Sequence, residues 1–122
     1  MVILNGVDEV LAAAQNDIKK GHFNIWNREK YRAFKSKYNL TDITCKQILL
    51  RLTESDFDKK IYEPDEYCDR GHLIQARNVT SSYLPGVKLY IKISVPYVKE
   101  IETQVISLHE DEPIIEIVFE RD

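Results

Sequence analysis

The sequence predicts an α+β domain, with N-terminal helices packed on one face of an antiparallel β-sheet. Three observations predict it. Apolar residues recur at helical spacing through the first half, the pattern turns to strict alternation after residue 57, and turn-forming residues separate the alternating runs. A length of 122 residues suits one domain, residues 1–122, with its own core.

The helices come first. Val7, Val10, Leu11, Ala14 and Ile18 share one helical face, and Gly21 follows as a stop. A short apolar piece, "HFNIW", precedes "REKYRAFKSKY", a helix with a Lys- and Arg-rich outer side that Asn27 is placed to cap. Thr41 or Asp42 then starts "ITCKQILLRL", where Cys45, Leu49 and Leu52 share a face and Ile48 flanks it. Four alternating runs read as strands: "GHLIQARNV", "VKLYIKISV", "IETQVISLHE" and "IIEIVFE". "SSYLPG", "PYVKE" and "DEP" separate them as turns.

Composition narrows the setting. Hydrophobic content of 43% and charged content of 30% are ordinary for a globular chain. No apolar run has the length of a membrane helix, and "MVILNGVDEV" is too short and too acidic for a secretory signal, so the expected location is the cytoplasm, without membrane contact. Cys45 and Cys68 have no CxxC spacing and read as reduced thiols, with a disulfide as the alternative. The net charge of −3 is uneven. Residues 17–60 hold eleven Lys and Arg against six Asp and Glu, whereas residues 61–122 hold six against twelve. Such a dipolar surface suits an anion on one side and a basic protein on the other, or two solvated faces with no partner.

Strand parity sorts the polar residues. In "VKLYIKISV" the aliphatics go inward, leaving Lys88, Tyr90 and Lys92 outward. In "IETQVISLHE", Ile106 and Leu108 form the stronger core pair, leaving Val105, Ser107 and His109 outward. In "GHLIQARNV", inward Ile74 and Ala76 leave Leu73, Gln75 and Arg77 outward, although Leu73 and Val79 favour the reverse. One open face then carries Gln75, Arg77, Tyr90, Lys92 and His109. These types suit metal-independent RNA cleavage. Histidine exchanges protons near neutral pH, Lys and Arg stabilise developing phosphate charge, and Tyr stacks on a base or donates its hydroxyl. Three scattered histidines without an i,i+4 pair give no common zinc pattern, and neither metal nor cofactor is expected. The plain structural reading is a solvated strand face, with His109 a surface residue beside Glu110 and Asp111, His22 at a helix end, His72 in a turn and Trp26 in the core.

The run "LTDITCKQILLRLTESDFDKKI", followed by "LYIKISV" and "VISLHED", resembles the MqsR family of type II toxin–antitoxin toxins, small mRNA-cleaving endoribonucleases with a RelE-like α+β fold. The likeness spans roughly residues 7–110. It rests on "LTESDFDKK" (Phe57, Lys59), on the strand with Tyr90 and Lys92, and on "SLHE", Ser107 to Glu110. It implies catalytic roles for Lys59, Tyr90, Lys92 and His109 and places the family's strand Gln on Gln75; with Lys60, Arg77 and Lys88, Gln75 completes the expected RNA contacts. It also implies an mRNA substrate, a cognate antitoxin and possible dependence on the ribosome. The sequence departs from the family in having Asp58 where an aromatic is usual and His109 where Lys is usual. An alternative alignment places the last motif on "VFER", with Glu120 or Arg121 at the basic position.

Two other readings stand beside it. One is a non-enzymatic protein-binding factor (an immunity, phage or antitoxin-like protein) that uses residues 100–122, where eight acidic side chains accompany only Arg121. The other is an RNA-binding module without catalysis. The run "IIEIVF" is either an edge strand open to a partner or the strand that closes the sheet.

Overall fold

The computed structural model describes residues 3–63 and 71–111. In chain order these form α1 (Val7–Lys19), β1 (Phe23–Ile25), α2 (Glu29–Tyr38), α3 (Asp42–Leu50), a 3₁₀ turn (Glu54–Asp56), β2 (Gly71–Ser81), β3 (Leu84–Pro96) and β4 (Thr103–Glu110). The fold is α+β, with three helices and one open four-stranded sheet in the order β1-β4-β3-β2 among the described residues. The expected strand at residues 114–120, with Arg121 and Cys68, lies outside them. No helix among the described residues is long and apolar enough to cross a membrane.

The helix boundaries follow local chemistry. The Glu9 carboxylate accepts from the N–H groups of Asn5 and Gly6 at 2.9 and 3.2 Å, satisfying donors at the start of α1. Gly21 ends that helix with φ +78°, and the N–H of His22 turns back to the carbonyl of Asp17 at 2.8 Å. Thr41 caps α3 by accepting from the N–H of Thr44 at 3.2 Å. Asn27 does not cap α2. Arg28 holds that position without a side-chain bond, and the Asn27 carbonyl instead accepts from the Arg32 guanidinium at 2.6 Å.

Helix and strand residues meet in one buried cluster. Val10, Ala14 and Ile18 of α1, Phe34 of α2 and Cys45, Ile48 and Leu49 of α3 join Ile74, Ala76, Leu89, Ile91, Ile93, Val95, Val105 and Leu108. The β3 aliphatics fall at every second position, as alternation predicts. Burial pushes the Cys45 thiol above its ordinary pKa, leaving it an inert core group.

The sheet corrects the sequence reading in four places. It is mixed rather than antiparallel, because β1 runs parallel to β4, with Phe23 opposite Thr103 and Ile25 opposite Val105. Three paired residues are too few to show a period. Val105 is fully buried rather than outward. The pairing steps from Lys92–Ser107 to Ile93–Val105, so Ile106 is an extra residue on β4 and the parity slips there. His72 lies within β2 and not in a turn. Its Nε2 accepts from the N–H of Leu4 at 3.2 Å, so its Nδ1 carries the proton and faces the Val95 carbonyl at 3.3 Å. Finally, β3 begins at Leu84, so Pro85 and Gly86 belong to the strand and Ser82 and Tyr83 alone make the turn.

The ambiguity in β2 has the same kind of cause. Pairing jumps from Ala76–Ile91 to Val79–Leu89, and Asn78 takes the left-handed conformation at φ 54°, which Asn tolerates better than most residues. That bulge lets Ile74, Ala76 and Val79 all reach the core. Its outer edge is covered by the segment after the 3₁₀ turn. Phe57 bridges Ala76, Tyr62 bridges Leu73, and the N–H of Asp58 donates to the Gln75 carbonyl at 2.9 Å.

Candidate functional site

Opposite the core residues of β3, alternation sends Lys88, Tyr90 and Lys92 to the other side of the sheet. The register fixes their neighbours. Gln75 stands opposite Lys92, which stands opposite Ser107, and Tyr90 stands opposite His109. Directly opposed residues have Cβ atoms about 5 Å apart, so Gln75, Lys92, Ser107, Tyr90 and His109 form one compact group.

Tyr90 is fixed from three sides. Its hydroxyl donates to Gln75 Oε1 at 3.0 Å, its ring lies 5.3 Å from the His109 ring at a tilt of 44°, and the Arg77 guanidinium sits 5.3 Å from the ring centroid. Arg77 is itself anchored, with Nη2 donating to Asp111 Oδ1 at 2.8 Å, while the N–H of Asn78 donates to Asp111 Oδ2 at 2.9 Å. Arg77, and then that N–H, hold the Asp111 carboxyl below the usual carboxylate range, against an opposing desolvation.

His109 has a defined tautomer. Its Nδ1 lies 2.8 Å from the carbonyl oxygen of Glu110, which can only accept, so Nδ1 carries the hydrogen and the neutral ring keeps its lone pair on Nε2. Glu110, on the opposite side of the strand, accepts from Lys37 Nζ and from the Tyr38 hydroxyl, each at 2.9 Å. These contacts hold its carboxyl below the usual range.

The structure therefore brings together Gln75, Arg77, Tyr90, Lys92 and His109, with Lys88 exposed further along the same strand. Lys59 and Lys60 are exposed in the bend between the Phe57 and Tyr62 bridges, beside the edge that carries Gln75. Lys60 Nζ lies 4.4 Å from the Tyr62 ring centroid. Lys59 is not joined to the Tyr90–His109 pair.

Two residues near the site, Tyr62 and Arg28, escaped the sequence reading, and a third, Trp26, was misplaced by it. Tyr62 donates its hydroxyl to Asp58, which raises its phenol pKa, with burial and the neighbouring Tyr90 adding to the rise. An aromatic ring thus stands beside Asp58 although that position is acidic. Arg28 reaches Ser107 Oγ and the Ile106 carbonyl, each at 3.4 Å, so it approaches the site from the turn after β1. Trp26 is half-buried and outside the core cluster, with its indole N–H donating to Gln104 Oε1 at 2.8 Å. It is not the core residue expected. The only sequence signal for these three was polar or aromatic residues flanking short apolar pieces.

No protein-family model and no curated protein matches the chain. The chemistry of the site is read from its geometry. A neutral imidazole with an oriented Nε2, an ammonium two residues from Tyr90 on the same face and a phenol fixed by Gln75 place one proton-exchanging group and one cation beside an aromatic ring.

Proposed function

We propose that this chain is a metal-independent endoribonuclease of the MqsR type, the toxin of a type II toxin–antitoxin system that cleaves mRNA and so inhibits translation and growth. The observation that carries the reading is the pairing of Tyr90 with His109, next to the row Gln75–Lys92–Ser107, on the face opposite the core aliphatics. In the proposed RelE-like arrangement the helices cover one face and leave the other for RNA. The segment "DFDKK" at the edge of β2 adds support, because it carries Lys59 and Lys60 alongside Gln75.

The reaction follows from these groups. His109 Nε2 takes the proton of a ribose 2′-hydroxyl, whose oxygen attacks the adjacent phosphorus. Lys92, with Lys59 approaching from the edge, offsets the added charge on the phosphorane. The bond to the 5′-oxygen breaks, and that oxygen takes a proton from the imidazolium, leaving a 2′,3′-cyclic phosphate and a 5′-hydroxyl. Tyr90, held by Gln75 and Arg77, positions the nucleotide. His109 is favoured over Arg121 as the basic group because it faces Tyr90. The setting proposed is the cytoplasm, with mRNA as substrate, a cognate antitoxin as partner and the ribosome as a further partner.

The test is a map of RNA ends after a brief pulse of expression, comparing the wild type with His109→Ala. New 5′-hydroxyl ends at a recurrent sequence, absent from the variant, are expected. Unchanged RNA with unharmed growth overturns the reading in favour of a protein-binding factor.

A further inference from the structure

The aromatic rings around the open face differ in what already covers them. Tyr90 is flanked by the Arg77 guanidinium from β2 and the His109 ring from β4, each 5.3 Å from its ring centroid, so the spaces beside that ring are taken. Trp26 follows β1 at the far edge of the sheet, away from Lys59 and Lys60.

Tyr62 is placed differently. Phe57 bridges Ala76 and is buried with it on the core side, so Asp58, the next residue, turns its side chain to the open face. Tyr62 bridges Leu73, which shares the parity of Gln75 and stands outside the core cluster, so its ring is on the open face too. The Tyr62 hydroxyl donates to Asp58, and Lys60 Nζ lies over the ring, 4.4 Å from its centroid. The ring is thus held at its far end, and the face under the exposed Lys60 side chain opens to solvent.

Magnitudes decide which partner keeps that face. A cation over an exposed ring is worth about a two- to fivefold preference, whereas a base stacked on an aromatic side chain is worth about five- to 150-fold. A base displaces the ammonium, which then turns to the nucleic-acid backbone.

We infer that Tyr62 is a base-stacking platform that takes a nucleotide flanking the cleaved bond in single-stranded RNA, with Asp58 holding the ring. The inference rests on the ribonuclease reading above, which supplies RNA as the ligand. The strand runs from His109 past Lys92 and Gln75 to the edge of β2, where Lys59 and Lys60 meet its phosphates.

The test is equilibrium binding of a fluorescein-labelled, fully 2′-O-methylated nonanucleotide RNA pool of random sequence, which blocks cleavage, over a range of salt concentrations. An abasic strand of the same length and backbone is measured beside it. Tyr62→Leu is expected to weaken binding of the pool about tenfold, within the range of one lost stack. The slope of log affinity against log salt should not change, because no phosphate contact is lost. The same variant should bind the abasic strand as the wild type does. Tyr62→Phe keeps the ring and should stay within about threefold of the wild type on the pool, the loss of one exposed hydroxyl contact. If Tyr62→Leu matches the wild type on the pool, weakens both strands alike, or loses no more than Tyr62→Phe, the platform is overturned and the ribonuclease reading stands. If the wild type neither binds the pool nor cleaves RNA, both fall.

Discussion

Tyr90 and His109 face each other across the β3–β4 ladder with ring centroids 5.3 Å apart, and each is held by a different neighbour. Gln75 accepts from the phenol, and the Glu110 carbonyl accepts from the imidazole Nδ1. A surface histidine left to solvent would need neither an oriented ring nor a fixed tautomer. In the proposed reaction, Tyr90 is the positioning group and His109 the one that carries the proton.

If His109 carries the proton, His109→Ala should lower RNA cleavage about 10²- to 10⁴-fold. Its side chain is half-buried and makes one hydrogen bond and one ring contact, so unfolding free energy should fall by only about 1 kcal/mol. Rates of 5′-hydroxyl formation and urea melts on the same preparations check both. Wild-type cleavage by the variant would remove His109 from the mechanism.

The Tyr90–Gln75 bond has its own test. In a double-mutant cycle of Tyr90→Phe and Gln75→Ala, the coupling in stability should be about 0.5–1.5 kcal/mol, the net value of a neutral hydrogen bond. A coupling near zero would mean that water serves the phenol equally well. Tyr90→Phe keeps the ring over which Arg77 lies, so its cleavage defect should be smaller than that of Tyr90→Ala.

Much of this was legible because it is local. The Gly21 stop, the Thr41 cap and the inward set Leu89, Ile91, Ile93 and Val95 each depend on residues within a few positions. The outward partners Tyr90 and Lys92 followed from the same alternation. What escaped depends on distant chain. Phe23 pairs with Thr103 across most of the domain, and the bulges at Asn78 and Ile106 exist only relative to a partner strand. Arg28 reaches Ser107, Tyr62 reaches Asp58 and the edge of β2, and Trp26 reaches Gln104, through turns and bridges whose course no periodicity encodes.

Acid should weaken the Arg77–Asp111 clamp. The folded pKa of Asp111 is depressed, chiefly by its bond with Arg77, whereas an unfolded Asp titrates near ~3.9. The clamp's contribution is therefore fully present above that value and lost as pH falls through the lower folded pKa. In urea melts, wild type should exceed Asp111→Asn in stability at pH 6, and the gap should close in more acidic buffer. A gap that persists there would mean that the carboxylate's charge is not what stabilises the bulge at Arg77 and Asn78.

The bulge at Ile106 gives the sharpest contrast between simple parity and the fold. Regular alternation from His109 backward puts Val105 on the open face, where a charged substitution should be tolerated within about 0.5 kcal/mol. With Ile106 as an extra residue, Val105 instead lies opposite Ile93 with no exposure. Val105→Asp then buries an unpaired carboxylate, and the expected loss is about 3–5 kcal/mol, a large share of the stability of a domain this size. Ser107→Asp supplies the comparison. Its side chain faces Lys92 and the Arg28 guanidinium, so a carboxylate there gains opposite charges instead of a hydrocarbon wall. Urea midpoints should rank Val105→Asp far below Ser107→Asp, and equal midpoints would remove the bulge from the account of how Ser107 and His109 come to share a face.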